Sequence, residues 1–438
     1  MKNVFKRAAK GAHVPHSKNT QNVATVEMPV PAKILLPMQQ HIGAAAVPMV
    51  NKGDQVCVGT LIGRAEGYVS ANIHSGVSGT VTDVREIQIS TGALVKAVEI
   101  TSDGKQTVDP SIAPPQVTDY ESFTTAIRAS GLIGLGGAGF PTAVKLTMKD
   151  LSAIDTLIVN GAECEPYITA DNREFIEAPQ EIMSGIAAIR KWLGIKHVII
   201  AIERNKPEAM DVMFGLVKGD DAITVKPLNS IYPQGAEKIL IESCTGREVP
   251  RGGLPSDVGC IVMNVSSVAF VASYLRTGMP LVSRRLTVDG SAVVKPQNVR
   301  VIVGTSIAEV LDFCGGTKGD IGEIITGGPM MGVSVQDTNF PILKQNNAVL
   351  AFDRAEAVQL PVGECIHCGR CIEACPMGLS PVIIAKAYKA GNLAELDKLM
   401  VDLCMECGCC SYVCPAKRPV TETMRLAKIM AKKGAKKK

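Results

Sequence analysis

The sequence has no hydrophobic run long enough to cross a membrane and no secretory signal. None of its apolar runs reaches the ~18 residues that a spanning helix needs. The nearest candidate, from Cys260 to Leu275, is interrupted by Asn264 and by three serines. The basic N-terminus, MKNVFKRAAKG, has no apolar stretch behind it, so it does not fit a secretory signal. We therefore expect a reducing compartment, where a disulfide framework is not used.

The chain also lacks the positive body of a nucleic-acid-binding protein. Residues 1–18 carry five basic groups and residues 428–438 carry six lysines, with no acid in either segment. When these eleven positive charges are subtracted from the net charge of +4, a net charge of −7 is left for the body of the chain, residues 19–427. An acidic body disfavours nucleic acid, whereas basic ends fit contacts with a partner or with an anionic membrane surface. A solvated, frayed tail is the alternative for the C-terminal lysines.

Composition and pattern predict a multidomain α/β and α+β protein. Hydrophobic residues make up 46% and charged residues 20% of the chain, which excludes disorder of the whole. Short apolar runs broken by glycine turns predict a small β-barrel or sandwich, and helices alternating with buried strands predict an α/β domain after it. The predicted boundaries are 1–30 for an irregular leader, 31–105 for the β domain, 120–278 for the α/β domain, 281–340 for a small β-grasp-like domain, 355–425 for a cysteine-rich module and 426–438 for a basic tail.

The 14 cysteines are informative because nine of them fall between residues 365 and 414. They form two runs of identical spacing, C-x2-C-x2-C-x3-C-P, joined by helical segments. This is the bacterial ferredoxin pattern, in which three thiolates hold one 4Fe–4S cluster and the fourth cysteine holds the neighbouring cluster. Zinc knuckles are the alternative, but zinc sites use separated pairs of ligands. We predict an α-helical two-cluster module, with one cluster on Cys365, Cys368, Cys371 and Cys414 and the other on Cys404, Cys407, Cys410 and Cys375.

The second run contains two adjacent cysteines near the third ligand position. Counting from Cys404 with the offsets of the first run selects Cys410 and leaves Cys409 one residue out of register. We therefore predict that Cys409 is a spare thiol, packed against or hydrogen bonded to the cluster. The five cysteines outside the two runs lack partners at ligand spacing and are expected to be small hydrophobic residues.

A glycine-dense segment, GLIGLGGAGFPTAVKL at residues 131–146, is a candidate phosphate-binding loop. Gly134, Gly136 and Gly139 fit G-x-G-x-x-G, but the preceding segment SFTTAIRAS is helical, which argues against a dinucleotide-binding Rossmann turn. Backbone amides of the loop, with Lys145 one turn into the following helix, could hold a phosphate. A tight turn between two helices is the alternative.

A polar segment, NGAECEPYITADNR, follows directly after the predicted strand TLIVN. It places Asn160, Glu163, Glu165 and Asp171 at the end of a strand, where polar side chains commonly line a pocket. A solvated acidic loop is the alternative interpretation.

Together the glycine segment and the acidic segment resemble the flavin-bearing NADH dehydrogenase subunit of respiratory complex I and its hydrogenase relatives. With the two cysteine runs and the domain order, residues from about 30 to 425 resemble the C subunits of the Rnf electron-transport complexes, called Rsx in some bacteria. The resemblance implies non-covalent FMN, NAD(H) as substrate and two 4Fe–4S clusters. It further implies a role for each of several residues. Gly134, Gly136, Gly137 and Gly139 would cradle the flavin and its phosphate, Lys145 would neutralise the phosphate, and Asn160 and Asn264 would line the flavin.

The same resemblance places Glu163 and Glu165 at the nicotinamide entrance as the catalytic pair. Phe140, Tyr167 and Phe175 are candidates to stack on rings, although each could equally belong to the core, and core packing is favoured for Phe175.

The implied activity is electron transfer between NADH and an ion-translocating membrane complex. Hydride would pass between nicotinamide and FMN, and single electrons would run through the two clusters. The protein would be peripheral on the cytoplasmic face of the cell membrane. Its partners would be the other membrane and peripheral Rnf subunits, with ferredoxin reached indirectly.

Two positions depart from the complex I pattern. Ala162 stands where that family has an acid, and Leu135 stands where it has an arginine. The N-terminal β region resembles a lipoyl or biotinyl carrier domain, but its turn region RAEGYVSANIHSG has no lysine to modify, so we expect only the carrier fold.

Two other functions stay open at this point. A soluble cobalamin-reductase-type enzyme uses the same parts, but its carrier-like barrel follows the clusters, whereas here the barrel comes first. A non-catalytic iron–sulfur electron wire with a vestigial flavin site is the second, and Ala162 is the residue that supports it.

Overall fold

The structure is a computed structural model and describes residues 10–89 and 92–435. Most of the basic groups predicted at the extreme N-terminus, and the last three lysines of the tail, lie outside these residues. Within the described part of the chain, no helix is both long and apolar enough to cross a membrane.

The N-terminal segment, residues 10–32, is irregular but is packed between domains. Its only strand, β1 (Val26–Glu27), pairs in parallel with Val299 and Arg300 of the third domain. Before β1, Ala12 forms a two-way backbone bridge with Tyr232 of the second domain. A segment expected to be a leader therefore ties two domains together.

The first domain is a β-barrel sandwich of two small sheets with a shared apolar core. Ile34, Ile62 and Val98 are among its fully buried residues. The larger sheet has the order β2-β8-β7-β4 and the smaller has β3-β5-β6, with antiparallel pairs throughout. The strands are β2 (Lys33–Pro37), β3 (Val47–Pro48), β4 (Gln55–Val56), β5 (Leu61–Arg64), β6 (Ile73–His74), β7 (Gly79–Gln88) and β8 (Leu94–Ser102).

The second domain is a four-stranded parallel sheet flanked by helices. In chain order its elements are α1 (Tyr120–Ala129), α2 (Thr142–Leu146), β9 (Thr156–Gly161), α3 (Ala170–Glu177), α4 (Pro179–Leu193), β10 (His197–Glu203), α5 (Pro207–Val217), β11 (Ile223–Leu228), α6 (Glu237–Thr245), β12 (Cys260–Asn264) and α7 (Val265–Thr277). The sheet order is β11-β10-β9-β12, and its strands are apolar because helices cover both faces. In this register Asn160 lies beside Asn264 at the carboxyl edge of the sheet.

The third domain is a six-stranded mixed sheet packed on one helix. Its elements are β13 (Ser283–Asp289), β14 (Gln297–Ile302), α8 (Ile307–Phe313), β15 (Ile321–Thr326), β16 (Val333–Ser334) and β17 (Ala348–Asp353). The sheet order is β1-β14-β13-β17-β15-β16, so β17 lies in the middle, between β13 and β15. The domain thus extends past residue 340, where the sequence placed its end, because the apolar run AVLAF is a buried strand.

The C-terminal module is helical, with two short helices directly inside the cysteine runs. Its elements are α9 (Arg370–Glu373), α10 (Pro381–Lys389), α11 (Leu393–Lys398), α12 (Cys409–Tyr412) and α13 (Val420–Ala435). Leu379, Ile384, Leu396 and Met424 form its buried core together with Cys375.

The packing of α4 against α7 depends on a glycine. A Cβ atom on Gly185 would overlap the backbone oxygen of Val268, so any side chain there forces the helices apart. We expect Gly185→Ala to destabilise the domain by about 2–3 kcal/mol, within the usual range for overpacking. Chemical denaturation followed by circular dichroism measures the change.

Gly215 in α5 is the matched control, because a Cβ atom there would meet nothing within 4 Å. Gly215→Ala should raise stability by roughly 0.5–1 kcal/mol, since alanine is the better helix former. Equal effects of the two substitutions would show that the helix contact does not require glycine.

Candidate functional site

The glycine loop, residues 134–140, presents its backbone at the surface of the second domain. Gly136, Gly137 and Ala138 are exposed, and a Cβ atom on Gly137 would meet nothing within 4 Å. Gly137 has φ +111°, a conformation that side chains disfavour. Within the described residues nothing accepts a hydrogen bond from the amides of these three residues. The loop therefore offers free amide donors to an anionic ligand, as FMN phosphate requires.

The two predicted asparagines lie behind this loop and are fixed by their own hydrogen bonds. Asn264 caps α7 by accepting from the Ser266 amide, and its Nδ2 donates to Asp171 at 2.7 Å. Asn160 donates to the carbonyl of Gly235 at 2.9 Å. A Cβ atom on Gly136 would lie 3.3 Å from Asn264, so the glycine lets loop and asparagine meet. These residues fit one face of a flavin site at the carboxyl edge of the sheet.

Lys145 lies at the same edge but already has partners. Its ammonium is 2.6 Å from the Glu237 carboxylate and donates to the Val262 carbonyl at 3.0 Å. Glu237 was not singled out from the sequence. A cofactor phosphate held by Lys145 would have to share this lysine with Glu237.

The two predicted catalytic glutamates point into the protein. Glu163, at φ +48°, accepts from the amides of Asp171 and Asn172 in the first turn of α3. Glu165 accepts from the Met330 amide at 3.0 Å and from the Tyr232 hydroxyl at 3.4 Å. Burial raises the pKa of each carboxyl to about 7. In this arrangement both residues shape the acidic segment.

A lysine that sequence reasoning missed holds this segment from behind. The Lys18 ammonium donates to the carbonyls of Glu163, Glu165 and Ile168 at 2.8, 2.8 and 2.6 Å. Burial lowers its pKa to about 8. No spacing in the sequence points to Lys18, because its contacts lie some 145–150 residues away.

The aromatic candidates differ in their surroundings. Phe175 is fully buried and packs so closely on Gly161 that a Cβ atom there would overlap its ring, in keeping with the core packing favoured from the sequence. Tyr167 stands edge-on to Phe352 and donates to Glu356. Only Phe140, which is half-buried at the end of the glycine loop, stays beside the free amides.

The two departures from the complex I pattern are both buried. Ala162 is fully buried and lies next to Gly235, on which a Cβ atom would come within 3.2 Å of the alanine methyl group. Leu135 also belongs to the core of the second domain.

The two cysteine runs share one backbone conformation. His367 and Glu406 occupy the same place in the two runs with φ +55° and +59°, and the next glycines, Gly369 and Gly408, have φ +79° and +82°. In each run the third ligand is the second residue of a one-turn helix, Cys371 in α9 and Cys410 in α12. The equal geometry supports the register that selects Cys410.

One predicted ligand set surrounds a single cavity. A small cavity is lined by the four predicted ligands Cys375, Cys404, Cys407 and Cys410, by Cys409, and mainly by methionine, leucine and proline side chains otherwise. Within residues 10–89 and 92–435, no three His, Cys, Asp or Glu side chains converge as ligands of one metal ion. The four thiols at the predicted ligand positions thus share one largely apolar cavity, as the predicted 4Fe–4S site requires.

Cys409 points toward the second domain. It is 1% exposed, and its thiol lies 3.7 Å from the Tyr232 carbonyl. Tyr232, Cys407 and Cys409 share one apolar cluster, with Cys164 of the acidic segment packed against it. The second cysteine run therefore adjoins the acidic segment directly.

Family comparisons match four consecutive parts of the chain. Residues 6–105 match the RnfC barrel sandwich hybrid domain, and residues 127–273 match the Nuo51 FMN-binding domain. Residues 285–334 match the SLBB domain, and residues 357–425 match the 4Fe-4S dicluster domain. These matches confirm the predicted fold class and the predicted FMN and 4Fe–4S cofactors.

Several curated proteins are similar over most of their length. The C subunit of the Na+-translocating ferredoxin:NAD+ oxidoreductase complex of Acetobacterium woodii is 39% identical over 95% of both chains. The C subunit of the proton-translocating ferredoxin:NAD+ oxidoreductase complex of Clostridium ljungdahlii is 39% identical over 86% of this chain and 83% of its own. The C subunit of the ion-translocating oxidoreductase complex of Rhodobacter capsulatus is 38% identical over 87% of this chain and 75% of its own.

Among solved structures, an NAD+-reducing NiFe hydrogenase in the air-oxidised state is similar in fold. Its TM-score is 0.50 at 16% identity, over 71% of this chain and 63% of the hydrogenase chain.

The matching geometry of the two cysteine runs predicts different outcomes for neighbouring cysteines. Cys409→Ser should keep about eight irons per chain, whereas Cys410→Ser should lose or damage one of two four-iron clusters. Iron counting and EPR of anaerobically purified protein measure both. Loss of a cluster from the Cys409 variant would overturn the register and require a bulged loop.

Proposed function

Because the chain belongs to the RnfC family, the C subunits of ion-translocating ferredoxin:NAD oxidoreductase (Rnf) complexes, we propose that it is the flavin and iron–sulfur electron-transfer subunit of such a complex. The observation that carries this proposal is the junction at Tyr232. Its hydroxyl donates to Glu165 of the acidic segment, while its carbonyl contacts Cys409 of the second cysteine run. The flavin-binding edge and the cluster module thus meet through one residue.

The proposed flavin site is built at the carboxyl edge of the parallel sheet. The amides of Gly136, Gly137 and Ala138 would bind the phosphate, with Lys145 beside it. Asn160 and Asn264 would line the flavin from behind, each locked by its own hydrogen bonds. When bound, FMN supplies hydride exchange with NAD(H) and release of electrons one at a time, and the clusters supply single-electron relay. The protein positions the cofactors and supplies the charged groups around them.

We assign the two glutamates a supporting part in NAD(H) binding. Glu163 fixes the start of α3, and Glu165 connects the acidic segment to Tyr232 and to Met330. Phe140 is the aromatic side chain best placed to contact the nicotinamide, because it follows the free amides directly. Neither glutamate is proposed to touch the reacting carbon.

The two clusters would take different positions. The set of Cys375, Cys404, Cys407 and Cys410 is buried or half-buried next to the second domain, whereas Cys368 of the other set is exposed. The inner set therefore lies on the flavin side, and the outer set lies where an acceptor or donor protein could approach. The other Rnf subunits are the proposed partners, with ferredoxin reached through them.

The electron wire without flavin makes a different prediction about flavin content. It draws on Ala162, which stands where the complex I pattern has an acid, whereas the free amides of the glycine loop favour a working flavin site. Purified wild-type protein should contain flavin in about a one-to-one ratio to chain and bleach with NADH. Iron without flavin would support the wire.

A side chain at Gly137 should block the flavin site selectively. It would project into the open space in front of the loop and strain a backbone at φ +111°. We expect Gly137→Val to lose FMN while its iron content stays near that of the wild type, measured by flavin fluorescence after release and by iron assay.

The matched control is Gly194→Val. Gly194 also has positive φ and open space around it, but it lies at the end of α4. This variant should retain FMN. If iron falls together with FMN in the Gly137 variant alone, the glycine loop supports the fold and does not specify the flavin.

We further propose peripheral attachment to the cytoplasmic face of the membrane, assisted by the basic tail. Lys428 is already engaged, since it donates to the Cys404 carbonyl and pairs with Glu406. The remaining lysines follow it, and each could contribute about 1 kcal/mol near an anionic surface. Deleting residues 431–438 spares Lys428 and should increase release of the protein from membranes at moderate salt. Unchanged release would mean that contacts with partner subunits hold it alone.

A further inference from the structure

The glycine loop is supported from behind by groups that belong to other domains. Three carbonyls along this region each accept a hydrogen bond from outside the second domain. The Gly131 carbonyl accepts from Lys344 at 2.8 Å, and the Leu135 carbonyl accepts from Arg284 at 3.2 Å. The Gly139 carbonyl accepts from the backbone amide of Ile42 at 3.1 Å. The barrel domain and the third domain thus share the support of the loop.

Lys344 is a buried cation that binds carbonyl groups. Its side chain is 0% exposed, and its ammonium donates to the carbonyls of Asn72 and Gly131 at 2.6 and 2.8 Å. Its backbone amide donates to Gln40 of the barrel domain. In the described residues no carboxylate pairs with it, and burial lowers its pKa to about 7. The lysine therefore stands where the barrel, the flavin domain and the third domain meet.

Arg284 connects this lysine to the middle of the loop. It is 4% exposed, and its Nη1 donates to the Lys344 carbonyl at 2.7 Å while its Nη2 donates to Leu135. Its Nε donates to the Arg285 carbonyl at 3.0 Å. All three guanidinium nitrogens donate to backbone oxygens, and these three hydrogen bonds fix the plane of the guanidinium group.

The geometry of a peptide bond links this support to the cofactor side. In a trans peptide the C=O of one residue and the N–H of the next point in opposite directions. Because Arg284 holds the Leu135 carbonyl inward, the Gly136 amide must point outward, where Gly136 is exposed. The direction of the first free amide of the loop is therefore set by a residue of another domain.

We propose that Arg284 and Lys344 are positioning residues of the flavin site. Arg284 aims the Gly136 amide at the cofactor by holding the Leu135 carbonyl, and Lys344 holds Arg284 through its own carbonyl and anchors Gly131, just before the loop, through its ammonium. This inference rests on the proposed flavin site. It assigns the third domain a direct part in cofactor binding, because both residues belong to that domain. The Ile42 amide completes the same support at the far end of the loop.

The test measures FMN affinity of flavin-depleted full-length protein by fluorescence quenching, with iron content as the measure of the rest of the fold. Lys344→Met and Arg284→Met should each weaken FMN binding at least tenfold without loss of iron. Arg285→Met is the matched control. Arg285 is equally buried on the same strand, but it pairs with Glu174 and Glu177, and among the described residues its side chain donates no hydrogen bond to the loop. Its FMN affinity should stay within twofold of the wild type.

A milder pair of variants keeps the test decisive if the buried substitutions prevent folding. Ile42 is exposed, so neither substitution removes a buried side chain. Ile42→Pro removes the amide that holds Gly139 and restricts the backbone at this position, whereas Ile42→Ala keeps that amide. The proline variant should bind FMN several-fold more weakly than the alanine variant. Hydrogen exchange should also show that FMN protects residues 136–138 in the wild type and protects them less in the proline variant.

Wild-type FMN affinity in the Lys344 and Arg284 variants would overturn the proposal, as would equal losses in the Arg285 variant. If those variants do not fold, equal affinity of the two Ile42 variants would overturn it. Failure of the flavin site itself gives a different result, because the wild-type protein would then bind no FMN and show no protection of residues 136–138.

Discussion

Cations that bind backbone carbonyls hold each loop at the cofactor edge of this protein. A loop that turns its N–H groups toward a ligand turns its C=O groups the other way, and buried carbonyls need donors. Lys344 and Arg284 supply donors behind the glycine loop, and Lys18 supplies three behind the acidic segment. Lys206 does the same for the Ala162 carbonyl at 2.9 Å. A charged donor makes a stronger bond than a neutral one, which suits loops that no sheet or helix ladder stabilises.

This arrangement makes the four domains depend on one another. The donors behind the glycine loop come from the barrel and the third domain, and Lys18 comes from the N-terminal segment, which also pairs with the third sheet through β1. On the other side, Tyr232 joins the acidic segment to the second cysteine run. The part that matches an FMN-binding family therefore depends on contacts from the other described domains for the support of its loops.

The sequence was enough to predict those features that depend on residues close together in the chain. Eleven-residue cysteine runs, a glycine segment and a strand followed by an acidic segment were enough for the fold class and the cofactor types, which the family matches confirm. The ligand assignments stay predictions, although one predicted set of four thiols lines a common cavity together with Cys409. Lys18 and Lys344 were missed because their partners lie 145 and 213 residues away, where no periodicity reaches. The inward direction of Glu163 and Glu165 was missed because a carboxylate at a strand end can cap a helix as readily as it can face a ligand.

The long separation between the glycine loop and its supports also bears on the order of synthesis. Domains fold broadly in the order in which they leave the ribosome. The glycine loop emerges with the second domain, but Arg284 follows Leu135 by 149 residues and Lys344 follows Gly131 by 213. The loop must therefore wait, with its inner carbonyls open to water, until the third domain has been made and has docked. If these residues position the flavin site as proposed, flavin would enter late, at about the stage when the cysteine runs become available to receive iron and sulfide.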